Sequence, residues 1–266
     1  MKLETLNEVF FENIKNSNDN FVKHFHDTYI IGITHDGMFK SINQNRATLL
    51  YKNSTRVLNP GEIHCGDSNS WKYTNFYPPL ELISEIYEQI YFEKALPCFT
   101  KHILEDINLY NLLLKFFISA YSNEDKLEIE SNLIIAVSYL IKNYTDSTKK
   151  YSPLFDDKKI IKDSVEFMKD CLDTNISLDD LALNSNLSKY HFLRVFKNSI
   201  GITPHQFILS QRVQKARELI VKGEQLNQVA STVGFSDQSH FIKNFKRIYG
   251  YVPSELKNKD NFIIYK

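Results

Sequence analysis

Apolar and polar residues change their rhythm twice along this chain. As far as about Tyr77 they alternate in short runs. "FVKHFHDTYIIGITHDG" alternates and is expected to turn at Asp36-Gly37; "MFKSIN" and "ATLLYK" read as short strands broken by Asn and Gln; "STRVLNPGEIH" reads as a strand entering a Pro-Gly turn. Strands this short, with turns this frequent, predict a small barrel or sandwich. From Pro78 apolar residues recur every three or four positions. The runs "LELISEIYEQIYFEKAL", "KHILEDINLYNLLLKFFISAY" and "EDKLEIESNLIIAVSYLIKNY" therefore predict three helices, the last two over 101–120 and 126–144. The stretch "TDSTKKYSPLFDD" that follows is polar, holds Pro153 and has no usable period, so a linker is expected there. Beyond it the period is helical throughout, beginning with "KKIIKDSVEFMKDCLD".

Within that last part, "GFSDQSHFIKNFKRIYG" puts Phe241, Phe245, Ile248 and Tyr249 on one helical stripe and Ser239, Lys243 and Lys246 opposite. Alone, this would be an ordinary surface helix. Forty-nine positions earlier, however, stands "NLSKYHFLRVFKNSIG", where His191, Phe192, Arg194, Phe196, Lys197 and Gly201 match His240, Phe241, Lys243, Phe245, Lys246 and Gly250. The chain carries one unit twice.

Each unit is a short helix, a tight turn and a second helix. Ser177 caps "SLDDLALNSN" with Asp180 placed as in a capping box, Asn184, Ser185 and Asn186 make the first turn, and Ser188 caps the next helix. In the second unit Gly234 makes the turn and Ser236 is expected to be the cap. Ala182 and Ala230 stand where the paired helices would cross, and larger side chains there would force them apart. That is helix-turn-helix grammar. Such a unit inserts its second helix into the DNA major groove, led by its N-terminal residues. The candidate DNA contacts are therefore Ser188, Lys189, Tyr190, Arg194 and Lys197 in the first unit, and Ser236, Gln238, Ser239, Lys243 and Lys246 in the second. Arg takes a guanine edge bidentately; Lys reaches guanine or, more often, phosphate; capped helix ends offer N–H groups to phosphate. His191 and His240, beside apolar phenylalanines, read as local hydrogen-bonding groups. Between the units, Thr203-Pro204 starts the helix "PHQFILSQRVQKAREL", which Gly223 ends. A rigid helix there would hold two readers at a fixed separation, which on straight DNA must be about 34 Å.

Residues 160–256 resemble the two-motif DNA-binding domain of the AraC/XylS family of transcription regulators, through "LDDLA", "LSKYHFLRVFK", "GITPHQFI", "RVQKARELI" and "VASTVGFSDQSHFIKNFKRIYGYVPSEL". The resemblance implies that Tyr190, Arg194, Ser239 and Lys243 occupy base-contacting positions. Leu193 stands where many members carry a polar reader, and Lys243 where Arg is frequent.

Charge agrees with this division. The formal net charge is zero, yet residues 1–157 hold 15 Lys and Arg against 21 Asp and Glu, while residues 158–266 hold 17 against 11. The halves are about −6 and +6, which fits a basic nucleic-acid-facing module joined to an acidic one. Cys65, Cys98 and Cys171 are odd in number and widely spaced, as expected of reduced thiols. "MKLETLNEVFFENIKNSNDN" lacks the basic start and apolar core of a signal peptide, and no run approaches a membrane span. A cytoplasmic location with no membrane partner is expected.

The first half contains "HFHDTYIIGITHDG" and "LNPGEIHCGD", which resemble the two motifs of the cupin-like arm of the same family, a small effector-binding barrel followed by helices that pair subunits. In metal cupins two His, a carboxylate four residues on and a distant His surround an ion. Here His24, His26 and His64 are present, but Ile30 takes the carboxylate place, so neither a metal nor another cofactor is expected. An effector pocket lined by His24, His26, Glu62, His64, Trp71 and Tyr73 is the functional reading, and plain structural use of the same residues is the other. Leu112, Phe116, Leu133, Val137 and Leu140 serve either the core or a dimer.

The expectation is an α+β protein in three parts: a cupin-like effector-binding and dimerisation barrel with trailing helices over 1–145, a linker over 146–157, and an all-α domain of two helix-turn-helix motifs joined by a long helix over 158–258. Its expected partners are double-stranded DNA, a small effector such as an amino acid or similar metabolite, RNA polymerase and a second copy of itself. The expected function is that of a non-enzymatic, effector-responsive regulator, an activator. The alternatives are a metal enzyme of the cupin type fused to a DNA-binding tail, and a constitutive DNA-binding protein with a structural barrel.

Overall fold

The computed structural model describes residues 10–43, 46–122, 125–151, 159–257 and 262–264. Its first half is built on two long antiparallel strands, β3 (Ile30–Asn43) and β6 (His64–Tyr77), paired from Ile31 with Phe76 to Asn43 with His64. Each long strand serves different neighbours at its two ends. β3 pairs β5 (Thr55–Leu58) through Ile30–Ile33 and β4 (Arg46–Leu50) through Phe39–Asn43. β6 pairs β1 (Phe10–Ser17) through Trp71–Tyr77 and β2 (Asn20–His24) through His64–Asp67. One sheet thus wraps on itself around Phe39, Leu50, Trp71 and Tyr73.

The expected reversal at Asp36-Gly37 is absent. β3 runs straight through it, and the ladder takes up irregularities between Thr34 and Met38 instead. Gly37 has φ +75°, and a Cβ there would strike the Ser70 carbonyl. The Asp-Gly pair therefore serves a bulge that bends two paired strands, a use of glycine that resembles a turn in sequence.

Three helices cover the outer face: α1 (Leu80–Tyr91), α2 (Ile107–Tyr121) and α3 (Lys126–Tyr144). Two further strands, β7 (Pro97–Phe99) and β8 (Ile103–Leu104), separate α1 from α2. The helix expected from residue 101 therefore starts later, because Ile103 and Leu104 pair with β5 and Asp106 then caps Asn108 and Leu109. Asp106 also accepts from the Tyr139 and Tyr144 hydroxyls of α3, tying the two helices together. Phe116, Leu133, Val137 and Leu140 are fully buried in the core under these helices, and Leu112 packs against it; in this chain they are core. Ile118, Leu127 and Ile135 remain exposed.

The expected linker is not wholly free. β9 (Thr145–Lys150) pairs antiparallel with β7, and the rest of that stretch, residues 152–158, lies outside the described residues. The second half then runs α4 (Lys159–Asp170), α5 (Leu178–Asn184), α6 (Lys189–Ile200), α7 (Pro204–Val221), α8 (Leu226–Thr232) and α9 (Gln238–Tyr249), with a short 3₁₀ turn over Pro253–Lys257. A last strand, β10 (Phe262–Ile264), returns to pair with β1.

The two halves share their cores. Phe25 of the barrel stacks on Phe207 of α7 within the core of the first helix-turn-helix unit, and Phe10, Ile30, Leu58 and Tyr77 belong to the core of the second. Gln211 and Gln214 of α7 add hydrogen bonds to Asp27 and to the Phe25 carbonyl.

Candidate functional site

Helix α6 starts at Ser188, whose hydroxyl accepts the His191 N–H, and ends at Gly201 in the left-handed region. Phe192, Phe196 and Ile200 are buried, so the opposite face is presented outward. On it Tyr190 is 75% exposed, Arg194 and Lys197 are exposed, and the Arg194 guanidinium lies 6.0 Å from the Tyr190 ring. Lys189 is engaged with Asp179 of α5 at 2.6 Å.

The second reader repeats this with one change. Asp237, and not the expected Ser236, is the cap: its carboxylate accepts the His240 N–H at 2.7 Å, while Ser236 only donates to Asp237. The turns explain the difference. Asn186 and Gly234 hold the left-handed backbone in the two units, with φ +51° and +85°, and stand 48 positions apart, whereas the helices repeat at 49. The second unit carries one extra residue before its helix, and the cap moves with it. Gln238, Ser239 and Lys243 are exposed on α9. Lys246 is exposed too, but its ammonium lies 3.8 Å from Asp19 of the barrel. Long α7 starts with the expected Thr203-Pro204, where Thr203 and Gln206 form a capping box, and spans about 27 Å at 1.5 Å per residue.

The other candidate site lies inside the barrel. His24, His26, His64, Trp71 and Tyr73 all line one narrow cavity of ≈ 20 Å³, closed on one side by Ile248 and Tyr249 of α9. Trp71 stacks between Phe39 and Tyr73 and donates to Thr34 Oγ1, so it is wall and core at once. Glu62 does not line this cavity. Its carboxylate accepts from Asn43 Nδ2 and from Asn59 N and Nδ2, and meets His102 at 3.0 Å, which makes it a brace for the loop between β5 and β6.

Several charged residues of this region carry no spacing signal in the sequence. Glu12 of β1 is buried and accepts from the hydroxyls of Tyr73 and Tyr77 at 2.7 Å each. Burial raises its carboxyl above the usual range, against the pull of Arg217 and Arg56. Burial also lowers the Arg56 guanidinium to about 10. Arg217 of α7 lies within 5 Å of the ring centres of Phe10, Tyr77 and Tyr249, a cation held among aromatic faces. In both arginines Nε and Nη2 are buried without a hydrogen-bond partner in the protein. Such groups cost free energy unless an acceptor reaches them.

Comparison with known proteins bears on both sites. A family model described as an AraC-like ligand binding domain matches residues 11–136, and one described as a helix-turn-helix domain matches residues 181–259. AarP of Providencia stuartii, an HTH-type transcriptional activator, is 31% identical over 102 residues, covering 38% of this chain and 76% of that protein. YbfI of Bacillus subtilis, an uncharacterized HTH-type transcriptional regulator, is 28% identical over 225 residues, 83% of this chain and 81% of that protein. Apo ToxT of Vibrio cholerae shares the two-part fold, with a TM-score of 0.62 at 18% identity over 93% of this chain and 95% of that one. No helix among the described residues is long and apolar enough to cross a membrane. The chain belongs to the AraC family of transcription regulators, joining a ligand-binding barrel to a helix-turn-helix DNA-binding domain.

Proposed function

We propose that this protein activates transcription as a homodimer, and that a small anionic effector bound in the barrel changes how α6 and α9 meet DNA. One observation carries this reading: α9, the second reader, forms one wall of the barrel cavity through Ile248 and Tyr249. A ligand that parts this wall must move the reader relative to the barrel, so its differential affinity for the two arrangements becomes the regulatory signal. The present cavity has room for about one water, so any metabolite requires that parting. The unpartnered Nε and Nη2 atoms of Arg56 favour a carboxylate or similar anion. ToxT has been solved with an unsaturated fatty acid bound. Domain limits of 1–145 and 158–258 accompany this proposal, with the exposed Ile118, Leu127 and Ile135 of α2 and α3 as apolar surface for pairing two chains and RNA polymerase as the protein partner of the bound dimer.

Within the DNA-binding half, Tyr190, Arg194, Gln238, Ser239 and Lys243 are assigned to base edges, and Ser188, Lys189, Lys197, Ser236 and Lys246 to phosphates. Selection of bound sequences from a random duplex pool by the full-length protein tests this, with and without a panel of carboxylate metabolites. The expected result is two short boxes about one helical turn apart, altered by one class of metabolite. Arg194→Ala should then cost about 1–3 kcal/mol in one box only. No enriched sequence from folded protein, in either condition, overturns the reading.

A further inference from the structure

The ladder between β2 and β6 sets His24 directly opposite His64, with ring centres 4.2 Å apart, and His26 folds in beside them. All three are buried, at 2%, 4% and 6% exposure respectively for His24, His64 and His26. Their hydrogen bonds settle which nitrogen faces inward. His24 Nδ1 lies 2.6 Å from the Val22 carbonyl and His64 Nδ1 lies 2.9 Å from the Glu62 carbonyl. A carbonyl only accepts, so both Nδ1 atoms carry the proton and both Nε2 atoms present lone pairs. His26 Nε2 stands 3.1 Å from His24 Nε2 and, without an ion, donates its proton to that lone pair; an ion bound there takes the place of this proton, and one ligand nitrogen from each ring lies within 4.8 Å of the others. Three imidazoles brought together in this way form a metal-ligand arrangement in which two rings, His24 and His64, already carry the outer hydrogen bond that orients a ligand.

We infer that His24, His26 and His64 bind one transition-metal dication, preferentially zinc, with the fourth coordination position open to the cavity. Tetrahedral zinc with Zn–N near 2.0–2.1 Å requires nitrogens about 3.3 Å apart; the His24–His26 pair stands at 3.1 Å, and the His64 nitrogen lies within 4.8 Å of both. The cavity volume of ≈ 20 Å³ accepts an ion. The all-imidazole donor set suits zinc, copper, nickel or cobalt and excludes magnesium and calcium, which demand oxygen. Arg56, which lines the same cavity, opposes a bare dication; the fourth ligand is accordingly an anion that Arg56 Nε or Nη2 can reach. The Ile30 side chain lines the cavity and offers no ligand atom, which is why the spacing rule built on a carboxylate misses this set.

The inference goes beyond the regulatory reading, and DNA selection can succeed whether or not a metal binds. Its test is titration of tag-free, EDTA-stripped full-length protein with Co²⁺. One ion per chain is expected, with the intense visible absorption of four-coordinate cobalt, displaced by Zn²⁺. His26→Gln and His64→Gln should each weaken binding at least tenfold, whereas His205→Gln and Cys65→Ser should leave it unchanged. Nitrogen NMR of the wild-type imidazoles provides a readout that needs no variant: zinc should shift one inward nitrogen in each of the three rings. Absence of saturable binding, a six-coordinate spectrum, unchanged affinity in His26→Gln, or unmoved imidazole nitrogens would each overturn the site.

Discussion

The guanidinium carbon of Arg217, on α7, lies 3.7 Å from the centre of the Phe10 ring, on β1. A cation of the DNA-binding half is thereby seated on the first strand of the barrel, at the residue two positions before the buried Glu12. Arg217 and Arg56 are the cations that lower the Glu12 carboxyl against burial. Arg217→Met keeps an apolar stem but leaves Glu12 with one cation fewer, so a loss of about 2–3 kcal/mol is expected. Adding Glu12→Gln should recover most of it, because the uncompensated charge disappears. Denaturant unfolding of both variants checks this; equal losses in the single and double variants would show that the two charges are not coupled.

Capping distinguishes the two helix-turn-helix units. Asp237→Ala removes the acceptor for His240 N–H and should cost about 1 kcal/mol. Ser236→Ala, which removes only a donor to Asp237, should stay within about 0.5 kcal/mol. The contrast is read from chemical denaturation without DNA. If Ser236→Ala costs as much as Asp237→Ala, the cap is shared and the assignment to Asp237 alone fails.

The second unit shows why its helices were legible in the sequence and its cap was not. Phe241, Phe245, Ile248 and Tyr249 announce α9 because burial of one stripe must repeat with the helical period. The cap depends instead on one inserted residue, visible only because Ser188 recurs at 49 positions as Asp237 while Asn186 recurs at 48 as Gly234. In the barrel, His24, His26, His64, Trp71 and Tyr73 were found through short motifs and do converge on one cavity. Glu12, Arg56 and Arg217 lie far apart in sequence, and single charged residues in amphipathic runs look like solvated surface. Their meeting is a product of strand pairing and of α7 docking, which no local period encodes. Glu62 departs from its motif for a local reason: it stands two residues before His64, but in the loop between β5 and β6, and that loop turns its carboxylate to Asn43 and Asn59 instead.

Gly234 supplies a backbone that the second unit cannot obtain otherwise. At φ +85° any side chain is strained, and a Cβ would strike the Leu172 carbonyl and approach Arg212 Cζ at 2.9 Å. Arg212 is itself committed to the Leu172 and Thr174 carbonyls, so it has little freedom to retreat. Gly234→Ala should cost about 2 kcal/mol or more. The expected consequence for DNA is loss of the box read by α9 with the α6 box retained, measured by competition against half-site mutants. Loss of both boxes together would mean that the two readers fold as one cooperative piece.

The buried histidines give stability a pH dependence whose sign is fixed. Burial lowers His24 to about 4, and His26 and His64 lie well below the ordinary value, with Arg56 pushing in the same direction. Below pH ~6.5 the unfolded chain therefore binds more protons at these sites than the folded one. Their contribution is intact above that pH and falls as the pH drops toward 4, by up to about 1.4 kcal/mol per pH unit for each ring. Glu12 acts in the opposite sense, since its raised carboxyl favours the folded state at low pH and loses that advantage as the pH rises. Comparison with a variant cancels its part. Denaturant unfolding in EDTA between pH 7.5 and 5.5 should show wild-type stability falling with acid, and the slope should be shallower in His26→Gln. Equal slopes would mean that His26 takes up its proton as readily inside the barrel as in the unfolded chain, and the narrow, buried cavity described above could not then be its environment.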